Sequence, residues 1–413
     1  MVRVKPFAAI RPPKEMAAEV SAPPYDVVNS AEAAALAGPR SLLHITRPEI
    51  DFTPLAGEHE QRSYDMAVHN FALWKRNGWL VQDSKPCYYL YAQTMGSHTQ
   101  YGFVLCAHIE DYENGSIKRH ELTRKDKEDD RMVHISLQNA NLEPVFFAFA
   151  ENAGLQSIIE QTSSQEKEYG FTDENGFGHD FWVIDDDSVI ARISEIFNTR
   201  VDAFYVADGH HRTAAAVRVG REKREANPLH RGDEEYNWFM AVCFPKDQLR
   251  ILDYNRVVKD LGPYDRDSFL KALEEDFTVE AKGSEPYRPC RPCNFSMYLQ
   301  GCWYSLDLRP GHWNGSGCLD RLDVSVLSAL VLDKLLGIKD LRTNKRIDFV
   351  GGIRGLEALR ARVDSEEMKV AFALYPVSME QLVEIADNSE IMPPKTTWFE
   401  PKLRSGLAIH SLE

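Results

Sequence analysis

Asp208, Gly209, His210, His211 and Arg212 stand consecutively in AFYVADGHHRTAAAVRV, residues 203–219. The apolar run before Asp208 reads as a strand, and the alanine-rich segment after Arg212 reads as a helix. A carboxylate at the C-terminal end of such a strand is placed to act as a base, a metal ligand or a substrate anchor. Gly209 permits backbone angles closed to other residues and lets a ligand approach the main chain. The two imidazoles are donors, acceptors or metal ligands. The segment HRTAAAVRV starts a helix whose first amides have no internal partner, and such amides take an anion. Arg212 adds a planar fork suited to phosphate or carboxylate. The bland alternative is a helix start capped by Asp208 with Arg212 paired on the surface. It leaves many polar groups beside an apolar strand without a purpose, so an anion or nucleotide site is the better reading. The turn is not a Walker sequence, which needs a glycine-rich loop ending in Gly-Lys-Ser/Thr. No Gly-x-Gly-x-x-Gly fingerprint is present either.

Other stretches hold candidate groups. KRHELTRKDKEDDR, residues 118–131, supplies Arg119, His120, Glu121 and Arg131. Glu121 follows a strand edge, where a carboxylate can accept a proton from an alcohol. Arg131 lies in a helical segment and can meet an anion. Lys127 and Asp130, three apart, can simply pair, and Lys125, Glu128 and Asp129 read as a solvated face. IMPPKTTWFEPKLRSGL, residues 391–407, has no period. It is either a stiff loop that folds Lys395, Thr396 and Thr397 over a phosphate or a tail docked by Trp398 and Phe399. SAPPYDVV is a second proline-stiffened loop, presenting Tyr25 and Asp26. His44 and Arg47 in SLLHITRPE either bind an anion or are satisfied locally. Asn255 and Arg256 in LDYNRVV are weaker candidates.

The elements that must position these groups alternate between strand and helix. SAEAAALAG is a short helix stopped by Gly38, and SLLHITRPE reads as a strand running into a turn. Residues 61–78 place Tyr64, Ala67, Phe71 and Trp74 on one helical face, a core stripe. CYYLYAQTM and GFVLCAHIE make a hairpin, and PVFFAFA and NWFMAVCFP are buried strands. Beyond residue 260 come a helix and strand in YDRDSFLKALEEDFTVE, a hairpin in FSMYLQGCWYSLDLRP, and a strong helix in RLDVSVLSALVLDKLLG. The expected class is α+β, or mixed α/β. The expected division is 1–260 as the core with an N-terminal elaboration and 261–413 as a C-terminal domain whose 391–407 loop can return to the site.

The net charge of −15 argues against nucleic acid as a partner but not against a local basic pocket. No apolar run is long enough to span a membrane, and MVRVKPFAAIRPP lacks a signal-peptide core, so a cytoplasmic protein is expected. Of seven cysteines, four fall between Cys290 and Cys318, opening with CRPC. A zinc site and a redox pair are open readings there, but Cys302 and Cys318 do not form a second close pair, and ordinary thiols fit best.

SAPPYDVV, HITRPE, KRHELTRKDKEDDR, NANLEPVFF, YVADGHHRTAAA and EIMPPKTTWFEPKLRSG together resemble a large prokaryotic family known as domain-of-unknown-function family one thousand and fifteen. The DGHHR turn separately resembles the ParB/sulfiredoxin-like superfamily, in which a similar strand–turn–helix binds nucleotide phosphates. One branch of that superfamily contains free serine kinases. The resemblance implies a ParB-like nucleotide-binding core with added α/β elements. It places Asp208 near the reacting hydroxyl, with Gly209, His210, His211 and Arg212 on phosphates. The kinases' separate glutamate base has Glu121 as its nearest candidate here. Tyr254 and Asn255 depart from the Thr-His-Arg pattern usual in LDYNRVV.

The expected function is therefore a phosphotransferase acting on free serine, phosphoserine or a similar small hydroxy-metabolite, with Mg²⁺ and ATP or ADP. Asp208, Glu121 and His210 are its catalytic candidates. Gly209, His211, Arg212, Thr213, Arg131, Lys395 and Thr396 are candidates for the nucleotide. His44, Arg47, Arg119 and His120 are candidates for the small substrate. Two alternatives stand beside it: a nucleotide sensor or adaptor without turnover, and a metal-dependent phosphohydrolase using Asp208, His210 and His211.

Overall fold

The computed structural model describes residues 1–413. The chain divides into two compact units, one formed by Met1–Leu249 with Pro401–Glu413 and the other by Arg250–Glu400. The class is mixed α/β, as expected. The sequence set the boundary at 260. The strand Tyr254–Val258 pairs with Ile347–Gly351 and Val370–Ala373, which places residues 250–260 in the second unit.

The first unit is built on a nine-stranded sheet. Its order runs Ile117–Lys118, Phe204–Asp208, Val145–Phe149, Trp238–Pro245, His98–His108, Tyr88–Met95, Gly178–Ile184, Tyr169–Thr172, and Val4–Lys5 adds to His98–His108. The pairings are antiparallel except Phe204–Asp208 with Ile117–Lys118 and Trp238–Pro245 with Val145–Phe149. Every residue of Val145–Phe149 is buried, because both faces of a central strand are covered, and its unbroken VFFAF run reflects that. Helices Ala153–Ser163 and Asp187–Arg200 contribute Leu155, Ile158, Ile193 and Phe197 to the core on this sheet. A second core gathers Leu42, Leu43 and Ile45 against Ala67, Phe71 and Trp74 of the helix Gln61–Arg76, the stripe its spacing predicts.

Two local expectations are corrected. SLLHITRPE is not a strand: Leu43–Thr46 is a short helix followed by a 3₁₀ turn at Pro48–Asp51. So short an apolar segment as Leu42, Leu43 and Ile45 does not distinguish strand from buried helix, and packing against Gln61–Arg76 decided it. RLDVSVLSALVLDKLLG begins as an α-helix at Asp323–Leu327 but widens to π geometry over Ser328–Asp333, where Lys334 N–H reaches the carbonyl of Ala329.

The second unit is a six-stranded antiparallel sheet ordered Phe277–Gly283, Cys302–Leu308, Asn294–Leu299, Val370–Ala373, Tyr254–Val258, Ile347–Gly351. Helix Gly355–Asp364 packs Leu356, Leu359 and Val363 onto Val257, Tyr298, Trp303 and Ala371.

Candidate functional site

The strand Phe204–Asp208 lies between Ile117–Lys118 and Val145–Phe149, and its register with Val145–Phe149 slips between Val206 and Asp208. Asp208 is still paired beyond that irregularity, with Phe146, and is the last residue of the strand. Gly209 follows with φ of 84°, the left-handed region, and the helix His210–Ala226 begins at once. Thr213 N–H makes the first intrahelical bond to Gly209 O at 2.9 Å, and its hydroxyl bonds the same oxygen at 3.0 Å. The amides of His210, His211 and Arg212 precede that bond, so the end of the helix dipole is directed at the turn. Ala214, Ala215 and Ala216 of the helix are buried, Ala215 against Met132 of Lys125–Gln138 and Ala216 in the core on the sheet.

Both oxygens of Asp208 face cations. Arg212 Nη2 lies 3.1 Å from Oδ2, and Lys402 Nζ lies 3.2 Å from Oδ1. Burial pushes the Asp208 carboxyl up, but Lys402 and then Arg212 outweigh it, and the net is a fall to about 2. Arg212 is 5% exposed and also donates through Nη1 to Pro144 O at 2.6 Å. Its Nε is buried without a partner. Burial disfavours the charged guanidinium, but Asp26, Asp208 and Glu143 hold it charged.

His210 is 7% exposed, and its Nε2 is buried without a hydrogen bond. Its Nδ1 lies 3.9 Å from Glu121 Oε2, too far for a hydrogen bond. The His120 ring meets the His210 ring edge to face at 4.6 Å. Burial lowers His120 to about 4, and burial together with His120 holds His210 well below its ordinary value. Both imidazoles are therefore neutral at pH 7. His211 Nε2 accepts the amide of Arg124 at 3.0 Å, which ties the helix start to the KRHELTRKDKEDDR stretch.

Arg131 belongs to a neighbouring buried cluster. It pairs with Asp130 at 2.5 Å and Glu143 at 3.4 Å, and stacks on the Tyr25 ring at 3.7 Å. Glu143 also takes the amide of Tyr25 at 3.0 Å and the hydroxyl of Ser405 at 3.2 Å. Arg131, Glu143 and Arg212 line one cavity of about 30 Å³, room for one or two waters. The loop bearing Tyr25 and Asp26 is thus brought to the back of the turn.

The remaining candidates are engaged locally. His44 bonds Asp51 and the carbonyl of Gly38. Arg47 is buried against Glu49 and Glu58, each at 2.8 Å. Arg119 is exposed and rests on the ring and hydroxyl of Tyr112. Lys395 and Thr396 fall in the second unit, where the Lys395 ammonium lies over the Tyr254 ring at 5.7 Å and Thr396 donates to Pro393 O at 2.6 Å.

Sequence reasoning missed Lys402. It lies seven residues beyond Lys395 in the same proline-rich stretch, and only the return of Pro401–Glu413 to the first unit selects it. Gln93 holds the Lys402 carbonyl at 2.9 Å. Glu143 was missed as well, because NANLEPVFF gives no sign that its carboxylate is buried between two arginines.

The donor set does not make a resident metal centre. No three His, Cys, Asp or Glu side chains come together to hold an ion, and this includes Asp208 with His210 and His211. All seven cysteines are free thiols, Cys290 exposed and Cys293 partly so. No helix is long and apolar enough to cross a membrane.

A family model described as "Protein of unknown function (DUF1015)" matches residues 4–325. No curated protein matches the sequence. Among solved structures, "Free serine kinase in complex with AMP" is 12% identical with a TM-score of 0.34, over 74% of this chain and 91% of that one. A conserved hypothetical protein from Pyrococcus furiosus is 15% identical with a TM-score of 0.35, over 74% and 95%. SbnI with a C-terminal truncation, from Staphylococcus aureus, is 10% identical with a TM-score of 0.37, over 74% and 86%. At these values the roles of individual residues rest on this chain's own geometry.

Proposed function

The chain belongs to the DUF1015 family, and from that premise and the geometry of the turn we propose that it is a nucleotide-dependent phosphotransferase acting on free serine, phosphoserine or a similar small hydroxy-metabolite. The observation that carries this reading is Asp208 at a strand end, held between Lys402 and Arg212 beside the N-terminus of a helix. A carboxylate flanked by two cations and a helix N-terminus is arranged for a group that brings both a hydroxyl and phosphate oxygens.

In the forward direction the substrate hydroxyl oxygen bonds to the terminal phosphorus of ATP. The bridging P–O bond breaks and ADP leaves with its electron pair. The hydroxyl proton passes to a carboxylate, Asp208 or Glu121. With its carboxyl near 2, Asp208 is a weak base. Its service is to orient the hydroxyl, which suits a transition state where proton loss is late. Arg212, Lys402 and the amides of His210 and His211 face the phosphoryl oxygens. Neutral His210 can donate or accept one hydrogen bond. Mg²⁺ brought with the nucleotide would offset charge on the phosphates, and no cluster of His, Cys, Asp or Glu in the protein would hold it by itself. The reverse transfer uses the same groups.

The weak basicity of Asp208 also favours a second reading, a nucleotide sensor without turnover. Phosphorus NMR separates the two. Protein with Mg²⁺ is supplied with serine plus ATP or ADP, and in a second tube with phosphoserine plus ADP. Transfer that falls at least a hundredfold in Asp208→Asn, as expected from losing ~3 kcal/mol of transition-state stabilisation, supports the enzyme. Nucleotide binding with no transfer supports the sensor. Neither binding nor transfer refutes both.

A further inference from the structure

We propose that the first unit carries a second ligand pocket, selective for a small carboxylate with an apolar body and centred on Arg404. It does not depend on the phosphotransferase reading, because neither Asp208 nor Arg212 lines it. The pocket is a cleft of about 280 Å³, just under the range of roughly 300–1,000 Å³ that holds drug-sized ligands. Pro23, Leu36, Pro39 and Leu43 give it an apolar wall, and the hydrogen-bonded pair Arg404–Glu174 completes its lining.

Arg404 is 8% exposed. Its Nη2 donates to Ser21 O at 3.0 Å, which fixes the plane of the guanidinium. Its backbone is pinned on both sides, since Tyr91 OH lies 3.4 Å from the Arg404 amide and Ser405 exchanges backbone hydrogen bonds with Ala22. A buried guanidinium needs a carboxylate. The one close to it is Glu174 Oε1, 2.7 Å from Nη1. The Asp173 carboxylate is 3.8 Å away and is engaged by His179 and by the amides of Asn175 and Phe177.

The asymmetry of the Arg404–Glu174 pair is the informative feature. The arginine is rigid and buried, whereas Glu174 is 39% exposed and sits in the turn Asp173–Phe177. The exposed Glu174 carboxylate is readily solvated when it swings away, and the cost of uncovering Arg404 is offset when another carboxylate replaces it. A ligand carboxylate can then take its place on Arg404, with its apolar body along the proline and leucine wall. Glu174 acts as an internal stand-in for that ligand. The other charges in the lining, Arg40 and Glu19, neutralise each other at 2.7 Å with side chains 37% and 58% exposed. The buried charge that selects the ligand head group is thus positive.

The test is a calorimetric and ligand-observed NMR titration of the full chain with hexanoate, using hexylammonium and hexanol as head-group controls. Hexanoate is expected to bind saturably and the controls not to. Glu174→Gln removes the competing charge and should tighten hexanoate at least fivefold, and Arg404→Gln should weaken it at least tenfold. A purely structural ion pair would not give tighter binding in Glu174→Gln. The proposal is overturned if neither wild type nor Glu174→Gln binds hexanoate, if hexanol binds equally, or if Glu174→Gln leaves the affinity unchanged or weaker. If Arg404→Gln does not fold, the Glu174→Gln comparison decides.

Discussion

Lys402 Nζ at 3.2 Å and Arg212 Nη2 at 3.1 Å occupy one oxygen each of Asp208. The two cations differ in what else they do. Arg212 is also bound to Pro144 O and is part of the buried scaffold. Lys402 reaches in from the C-terminal segment, and its side chain is 17% exposed. Lys402→Gln should therefore keep the fold and reveal the site. The Asp208 carboxyl should rise from its depressed value, since Lys402 is the largest of the influences lowering it. ADP affinity should fall roughly tenfold to a hundredfold, the equivalent of ~1.5–3 kcal/mol for a charged hydrogen bond. Calorimetry on the folded variant reads this, and an unchanged affinity removes Lys402 from the site. At this scale the sequence showed Asp208 and Arg212, because they lie within one turn of each other. Lys402, 194 residues from Asp208, was hidden by that distance.

At the scale of elements, two glycines of the turn and its helix make opposite use of lacking a side chain. Gly209 needs its positive φ, and an added Cβ would also lie 3.2 Å from Arg212 Nε. Gly209→Ala should cost ~1–2 kcal/mol from the left-handed backbone alone and displace Arg212. Gly220 sits inside the helix His210–Ala226, where propensity favours alanine by about 1 kcal/mol. The structure reverses that sign, since a Cβ there would meet the backbone oxygen of Tyr236 at 2.4 Å. Gly220→Ala should lose ~2 kcal/mol by overpacking, and a rise in Tm would show that Tyr236 yields instead. SLLHITRPE makes the same point. Its residue types admitted a strand, and contact with a distant helix made it helical.

At the scale of the whole molecule, the two units should respond to acid with opposite signs. In the first unit burial holds His108 and His120 at about 4 and lowers His134, His179, His210 and His410. Unfolding lets these histidines take protons near 6.5. Their contribution is complete above pH 6.5 and falls as pH drops toward their folded values, by ~1.4 kcal/mol per pH unit for each such histidine. In the second unit burial raises Asp323 to about 7, with Oδ1 on the Cys293 amide at 2.8 Å and Oδ2 buried. Its contribution is complete below 3.8 and is lost as pH rises through 7. Hydrogen exchange resolved by unit should show the first destabilised as pH falls from 6.5 to 4, and the second destabilised as pH rises from 4 to 7. Asp323→Asn should flatten the second slope, and a slope that survives would assign it to another group.

The alternation of apolar runs and amphipathic stretches determined the mixed α/β class, the helix Gln61–Arg76 and the strand–turn–helix around Asp208–Arg212. Those features depend on neighbours a few residues apart, where backbone periodicity and turn chemistry leave their mark on the sequence. Tertiary structure alone decided that Lys402 rather than Lys395 reaches Asp208, that Glu143 is buried against Arg131, and that Arg404 faces a cleft beside Glu174. These pairings join residues far apart in the chain. They are set by which segments pack together and by the cost of leaving a buried charge unpaired, and a lysine or glutamate in the sequence carries no mark of either.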